Sequence, residues 1–236
     1  MTKETAKATS VEEAILTRRS IRAFLPTPVD PAVIKHIFEV ARRAPSGSNM
    51  QPWTVYVLTG EAKLNLSRRL LEAYNADEGP AQHEEEFPYY PSHWFSPYIE
   101  RRRALGWALY GLLGLTRENK AGMKAQLGRN FSFFDAPVGL VFTADRRLER
   151  GSWLDYGTFL QNVMLMARAY GLDTCPQAAF NQFHRIIAAQ LGLPENETIV
   201  CGMSLGYADM NSPENGLVSE RKEVTDFVHF VANGCL

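Results

Sequence analysis

The sequence predicts an α+β (α/β-type) protein built as one domain. Short runs rich in β-branched and aromatic residues alternate with longer helical patterns, as expected where helices pack on a sheet. Neither a repeat nor a linker-like stretch divides the 236 residues, so we expect a single domain over residues 1–236. Hydrophobic residues make up 45% and charged residues 22%, an ordinary balance for a globular chain.

Charge, cysteine content and hydropathy exclude several classes of protein. The net charge of -1 creates no overall field that favours nucleic acid. The polar start, Met1–Ser10, lacks the apolar core of a signal peptide, and the longest apolar run, Leu105–Leu115, is too short to span a bilayer. Cys175, Cys201 and Cys235 are few and far apart, which fits a reducing compartment. We therefore expect a cytoplasmic protein that binds neither nucleic acid nor membrane.

Capping signals and periodicity predict the elements of the first third of the chain. The capping-box residue Ser10 begins a helix over Val11–Thr17, and Asp30–Pro31 begins a second helix. Thr54–Leu58 is β-branched and aromatic and predicts a buried strand, and Glu61–Ala73 predicts the next helix.

The remainder of the chain continues the alternation. Helices are predicted over Tyr98–Leu115, Thr116–Leu127, Trp153–Tyr170 and Asn181–Leu191, and strands over Ala136–Thr143, Thr198–Leu205 and, at a sheet edge, Val224–Val231. Residues 172–175 are predicted to be a short connector. The helix Trp153–Tyr170 is apolar on most faces, which places it in the core or at a subunit interface.

A long irregular segment, Tyr74–Ser96, interrupts this pattern and continues into Tyr98. Its aromatic content argues against disorder, so we expect a lid-like insertion at about 74–98 that folds over a site. Tyr89, Tyr90, Trp94 and Tyr98 are candidate substrate contacts, because flat side chains stack on aromatic rings. Alternatively, these rings anchor the insertion to the body of the protein.

Two polar segments are candidates for ligand binding. Arg18–Arg22 carries three arginines and a serine, a composition suited to an anion. Alternatively, Arg18 and Arg19 complement the dipole of the preceding helix and Arg22 is solvated. The loop Ala44–Trp53 is rich in proline, serine and side-chain amides, so its backbone N–H groups can face a heterocycle or a phosphate. Its simpler interpretation is a polar connection between a helix and a strand.

Several common catalytic motifs are absent from the sequence. It has no glycine-rich dinucleotide fingerprint after a strand, no phosphate-binding loop and no nucleophile elbow. The five histidines lack the spacing of metal ligands, so we expect no metal. Cys175 is interpreted as a buried structural cysteine, with a nucleophile as the alternative.

Three segments together resemble the FMN-dependent nitroreductase family, in particular its nitrobenzoate- and nitroaromatic-reducing branch. They are RRSIR at 18–22, PSGSNMQPW at 45–53 and PQAAF at 176–180, and the likeness extends through 151–155 and 202–207. The resemblance implies a nitroreductase-like fold in which helices wrap a central mixed β-sheet. It also implies an intertwined homodimer with two FMN sites at its interface.

The resemblance also assigns roles to individual residues. It implies that Arg18, Arg19, Ser20 and Arg22 hold the phosphate, ribityl chain and pyrimidine end of FMN, with Arg221 at the phosphate and Asn130 near the pyrimidine edge. Pro45, Ser46, Ser48 and Asn49 would come from the other subunit, with Gln51 supporting that loop. Pro176, Gln177, Ala178 and Ala179 would lie along the flavin. Enteric members carry Glu-Gly in place of Ala178-Ala179, so the implied contact near flavin N5 is the backbone N–H of Ala178, and no catalytic side chain is expected.

The function implied by the resemblance is reduction of nitroaromatic compounds with NAD(P)H by a ping-pong mechanism. The electrons would be delivered in two-electron steps, giving nitroso and then hydroxylamine products. Two alternatives remain open at this stage. One is another FMN-dependent reaction, such as quinone reduction, reductive dehalogenation or flavin breakdown, and the other is a flavin-binding protein without turnover.

Overall fold

The computed structural model describes residues 5–76 and 79–231. Residues 77–78 of the predicted insertion and Cys235 lie outside the described residues. The α-helices are α1 (Val11–Thr17), α2 (Pro31–Ala41), α3 (Gly60–Asn75), α4 (Tyr98–Leu112), α5 (Lys120–Gly128), α6 (Arg150–Ala169) and α7 (His184–Leu191). The strands are β1 (Thr54–Thr59), β2 (Val138–Asp145), β3 (Asp173–Gln177) and β4 (Glu197–Gly206).

The four strands form one sheet in the order β1-β2-β4-β3. Each neighbouring pair is antiparallel, with Val141 of β2 opposite Gly202 of β4 and Cys175 of β3 opposite Ser204. The mixed character expected of the sheet is therefore confined to an isolated parallel bridge between Ser20 and Thr174. This bridge attaches the 18–22 segment to the outer side of β3.

Apolar side chains cover both faces of the sheet, which gives three layers. On one face α2 and α6 pack through residues such as Ile37 and Phe159, and the ring of Trp53 stacks on Phe159 at 4.6 Å. On the other face α3 and α7 pack with a cluster of phenylalanines that includes Phe133 and Phe180. Because β2 and β4 are covered on both faces, nearly all of their residues are buried.

The predicted α+β class is confirmed, and two predicted segments are wrong. Residues 173–175 are part of strand β3 rather than a connector, because they pair with β4. Their short run ends in Pro176, which an edge strand tolerates but which weakens the sequence signal. Val224–Val231 forms no strand: it contains a 3₁₀ turn, Val224–Asp226, and its side chains are exposed.

Helix boundaries also differ where turns interrupt the predicted helices. Helix α4 ends at Leu112 and α5 begins only at Lys120, where Asn119 caps it. A 3₁₀ turn over Ala178–Phe183 precedes α7, so that helix begins at His184. Helix α6 is a core helix with one outward face, because Phe159 is buried and Leu154 is 76% exposed.

Helix α4 is unlike the other long helices, because none of its residues is buried within the chain. Its surface includes Leu105, Trp107 and Leu112, each about two-fifths exposed. No helix in the described part of the chain is long and apolar enough to cross a membrane.

Candidate functional site

Two adjoining cavities lie at the edge of the sheet formed by β3 and the 18–22 segment. We call the first the β3 cavity; it has a volume of about 570 Å³ and is lined by 176–179, by α4 and by the insertion. We call the second the arginine cavity; it has a volume of about 700 Å³ and is lined by 18–20 and by Arg221. Arg22 and Leu105 line both cavities, so the two adjoin each other at these residues.

Backbone hydrogen bonds fix the 18–22 segment between these cavities. The Ile21 N–H donates to the Thr174 carbonyl at 3.1 Å, which holds the segment against β3. The Arg22 N–H donates to Oδ1 of Asn215 at 2.7 Å, and the buried Asn215 amide in turn donates to the Ala23 carbonyl at 2.8 Å. The arginine side chains are therefore presented from a rigid backbone.

The arginine cavity carries positive charge that the chain does not neutralise. Arg18 is partly buried, and burial together with the nearby Arg221 lowers the pKa of its guanidinium. Within residues 5–76 and 79–231, no carboxylate lies within ion-pair distance of Arg18, Arg19 or Arg22. Such a cluster favours a bound anion, because guanidinium groups bind phosphate oxygens bidentately.

Two carboxylates near this cavity are already engaged elsewhere. Glu13 accepts hydrogen bonds from the Thr9 backbone at 2.7 Å and from the Thr9 hydroxyl at 2.8 Å, and these bonds lower its pKa. The buried Asp173 pairs with the buried Arg168 at 3.3 Å. Asp173 has a raised pKa because burial outweighs the charge of Arg168.

The end of β3 supplies one wall of the β3 cavity. The buried side chain of Gln177 donates to the Asn130 carbonyl at 2.7 Å and accepts from the Ser204 hydroxyl at 2.8 Å. Its amide is thus committed to the protein interior, so Gln177 can offer the cavity only its backbone. The half-buried Ala178 and Ala179 line the cavity with methyl groups, which allow a flat ligand to approach the backbone.

Asn130 lies on the same cavity, although its side chain is turned to its own segment. Its Nδ2 donates to the Leu127 carbonyl at 2.9 Å. Asn130 and Pro176 both lie on the wall of this cavity. The neighbouring Arg129 forms an ion pair with the buried Glu214, which joins this wall to the turn that holds Arg22.

The insertion brings some of the predicted substrate residues to the cavity and not others. Tyr89 and Tyr90 line it, with their rings in a T-shaped contact at 4.7 Å, and burial raises the pKa of the Tyr89 phenol. Trp94 does not line the cavity; it packs behind Tyr90 at 5.2 Å. Tyr98 is also off the cavity, half-exposed against Phe95 at the start of α4.

The predicted loop residues Pro45, Ser46, Ser48, Asn49 and Gln51 line neither cavity of their own chain. The loop is tied to α6 instead: Asp155 accepts from the Gly47 N–H at 3.1 Å, and the Thr158 hydroxyl donates to the Pro45 carbonyl at 3.2 Å.

Within this loop, Gln51 makes two internal bonds. Its N–H donates to the Ser46 hydroxyl at 3.0 Å and its amide donates to the Asn49 carbonyl at 3.2 Å. Ser48, Asn49 and Gln51 have φ of 51°, 58° and 49°, so three of four neighbouring residues that carry side chains are held in the left-handed region. An exposed loop kept in this strained conformation is typical of a binding element.

Helix α4 and the 213–216 turn are site elements that the sequence did not reveal. Arg102, Trp107 and Tyr110 of α4 line the β3 cavity, and the guanidinium of Arg102 lies 4.6 Å from the Trp94 ring centroid. The sequence of α4 has no apolar stripe, and a helix of this kind does not pack on the core of its own chain. This property could have identified α4 as a candidate site element.

Two other kinds of chemistry find no support at this site. Cys175 is buried and burial raises the pKa of its thiol to about 11, so it is a structural cysteine rather than a nucleophile. No group of three or more potential metal ligands occurs among the residues that the structure describes.

Comparison with known proteins agrees with this geometry. The family model of the nitroreductase family matches residues 15–207. The chain is 44% identical over 220 residues to 4-nitrobenzoate reductase of Pseudomonas putida, covering 93% of this chain and 95% of that protein. It is 42% identical over 221 residues to nitrobenzene nitroreductase of Ectopseudomonas oleovorans, covering 94% and 96%.

A solved structure shows the same architecture. The FMN and NADPH-dependent nitroreductase NfnB from Sphigopyxis sp. strain HMH superposes with a TM-score of 0.89 at 36% identity, covering 94% of this chain and 99% of that one. The family model covers the 18–22 segment and all four strands, and each of these relatives covers more than nine-tenths of the chain. The chain therefore belongs to the nitroreductase family.

Proposed function

We propose that this protein is an FMN-dependent nitroreductase that uses NAD(P)H to reduce nitroaromatic compounds. The observation that carries the proposal is that an arginine cavity, whose arginines at 18, 19 and 22 have no ion pair within the described residues, adjoins a cavity lined by Ala178, Ala179 and the tyrosines of the insertion. One end suits a phosphate and the other a flat ring, which is the shape of a flavin mononucleotide. The named activities of the relatives support the same conclusion.

The residues present fit FMN. Arg18, Arg19, Ser20 and Arg221 would hold the phosphate and ribityl chain in the arginine cavity. Arg22, which lines both cavities, would lie at the junction with the ring system. The ring system would lie along 176–179, with the backbone of Ala178 as its contact near N5. In this proposal the chain is a single FMN-binding domain over residues 1–236.

When bound, FMN supplies the redox chemistry, by accepting hydride from NAD(P)H and passing electrons in pairs to a nitro group that becomes nitroso and then hydroxylamine. The protein orients the cofactor and the substrates and provides the surrounding charges. Arg22 would place positive charge beside the ring system, and the phenol of Tyr89, which lines the same cavity, could donate a hydrogen bond there. One cavity serving donor and acceptor in turn favours the ping-pong order.

The site is completed by a second copy of the chain. Helix α4 has no buried residue, and the 224–231 segment exposes Phe227 and Phe230 at 57% and 91%. The strained loop at 45–51 lines neither cavity of its own chain. In an intertwined homodimer these three surfaces are covered, and Ser46, Ser48 and Asn49 approach the flavin of the partner subunit. The free, buried Cys175 and Cys201 suit the cytoplasm as the compartment.

The activity is tested by steady-state oxidation of NADPH and NADH with 4-nitrobenzoate and nitrobenzene, with products identified by chromatography. We expect oxidation that depends on the nitroaromatic and yields the hydroxylamine. A parallel panel of quinones and halophenols is the control for other FMN-dependent reactions. Turnover of those compounds with none of the nitroaromatics would refute the proposed substrate class.

The shared site is tested by complementation between two inactive variants. One carries Arg18→Ala and Arg22→Ala, and the other carries Ser46→Ala and Asn49→Ala. A mixed dimer has one intact site and one site that lacks both sets, so verified mixed dimers should regain up to about half of wild-type activity. Folded parents whose mixed dimers regain nothing would rule out a site built from two chains.

A further inference from the structure

A single buried amide joins the two walls of the β3 cavity. Asn181 is fully buried in the 3₁₀ turn Ala178–Phe183, three residues after Ala178. Its Nδ2 donates to the Phe87 carbonyl at 2.7 Å, and its Oδ1 accepts from the Glu86 N–H at 3.1 Å. Both functional ends of the side chain are therefore used on the backbone of the insertion.

The same two residues of the insertion are held from other directions. The Glu86 carboxylate pairs with Nη1 of Arg146 at 2.9 Å and accepts from the Ile199 N–H at 3.2 Å. Nδ1 of His184 lies 3.5 Å from it. The ring of Phe87 makes a T-shaped contact with Trp153 of α6 at 4.6 Å. We call residues 86–87, with these contacts, the strap anchor.

The anchor lies directly beside the cavity in sequence. Tyr89 follows Phe87 by two residues, and two residues of extended chain reach at most about 7 Å. Tyr89 and Tyr90 therefore cannot move far from the cavity while residues 86–87 are bound. Because Asn181 also belongs to the turn that begins with Ala178, it fixes the aromatic wall relative to the alanine wall.

We propose that Asn181 is a positioning residue that sets the gap between Tyr89 and Ala178, and thereby selects the aromatic substrates that the cavity accepts. The inference rests on the proposed function, since the gap matters only if a ring enters it. Loss of the side chain leaves the part-buried Glu86 N–H and Phe87 carbonyl without this partner, which favours the undocked insertion. Substrate affinity falls in proportion to the docked fraction.

The first measurement is hydrogen exchange of the FMN-loaded protein, which needs no turnover. In Asn181→Ala the amides of segment 84–92 should exchange at least roughly tenfold faster than in wild type, while those of β2 and β4 stay protected. Asn162→Ala is the matched control, because its amide also donates to a backbone carbonyl, that of Ala41 at 3.3 Å, but away from the insertion. Unchanged exchange at 84–92 would overturn the proposal.

The second measurement separates positioning from a general structural role. In Asn181→Ala the KM for 4-nitrobenzoate should rise roughly tenfold with FMN content unchanged. The double variant Asn181→Ala/Tyr89→Ala should have the KM of the worse single variant. Both substitutions remove the same contact between substrate and the Tyr89 ring, so their effects should not multiply. Independent, multiplicative effects would overturn the assignment, and so would an unchanged KM.

A second variant, in the insertion itself, tests the proposal if Asn181→Ala does not retain FMN. Phe87→Ala removes the packing on Trp153 and leaves the 178–183 turn intact. It should raise the KM for 4-nitrobenzoate with FMN retained, and an unchanged KM or loss of FMN here too would overturn the proposal. If wild-type protein reduces no nitroaromatic, the proposed function fails, whereas the exchange data still decide whether Asn181 docks the insertion.

Discussion

Replacement of Arg18 by methionine should weaken FMN binding without destabilising the protein. The guanidinium is partly buried, faces Arg221 and has no ion-pair partner among residues 5–76 and 79–231. Burial and the like charge both disfavour the cation, which is why its pKa is lowered. In the FMN-free protein, therefore, the charge contributes no favourable interaction that methionine would remove.

The magnitude follows from the bonds that the phosphate would make. A charge-assisted hydrogen bond contributes about 1.5–3 kcal/mol, and each 1.4 kcal/mol is tenfold in affinity, so the FMN Kd should rise roughly tenfold to 150-fold. The unfolding midpoint of FMN-free protein should stay the same or rise, since methionine retains the apolar part of the side chain.

The assay is fluorescence titration of FMN-free protein with FMN, together with thermal unfolding without FMN. Arg185→Met is the matched control, because Arg185 is exposed on α7 and lines neither cavity, so it removes the same charge elsewhere. An unchanged FMN Kd in Arg18→Met would refute the reasoning. So would a loss of more than about 1 kcal/mol of stability in the FMN-free variant, which would show that the guanidinium serves the fold.

Two further changes test the surroundings of the site. His184 has a pKa lowered from 6.5, chiefly by burial and against the pull of Glu86, so folding opposes its protonation and stability should fall as pH drops below 6.5. In His184→Gln the free energy of unfolding, measured with urea, should change less between about pH 6.5 and 5 than in wild type. An equal pH dependence in both proteins would contradict this assignment. In Gly202→Ala the new methyl carbon would lie 2.7 Å from the buried ring of Phe180, which should cost about 1–3 kcal/mol by urea unfolding. Wild-type stability would mean that the ring has room to move.

Much of the fold follows from local chemistry that the sequence displays. The Ser10 hydroxyl caps α1 as predicted, and the Asp30 carboxylate caps α2 with Pro31 at its first position. The β-branched run in β1 forms the expected strand. These elements are specified by neighbours in the chain, so a periodic pattern is sufficient to find them.

Long-range contacts determined what the sequence did not predict. The run at 173–175 becomes a strand because β4 pairs with it, and no local pattern encodes that partner. The predicted strand at 224–231 has apolar residues, but no strand pairs with it in the part of the chain that the structure describes. Similarly, Arg22 was predicted from its charge, whereas Asn215, which holds its backbone, lies 193 residues away and carries no local signal.

Long-range contacts also determine which side chains of the insertion face the cavity. Its aromatic content predicted ring contacts, and Tyr89 reaches the cavity whereas Trp94 packs against Tyr90 and Arg102 instead. Which ring faces the cavity depends on where Asn181 and Arg146 anchor residues 86–87. Composition alone does not contain that information.

The central claim is that one cavity passes electrons from a nicotinamide to a nitroaromatic by way of FMN. Anaerobic stopped-flow spectroscopy of the yellow, FMN-loaded protein tests it most directly. NADPH or NADH alone should bleach the flavin absorbance, and 4-nitrobenzoate added after the nicotinamide has been consumed should restore it. Protein that binds no FMN, or a bleached flavin whose absorbance no nitroaromatic restores, would contradict the claim.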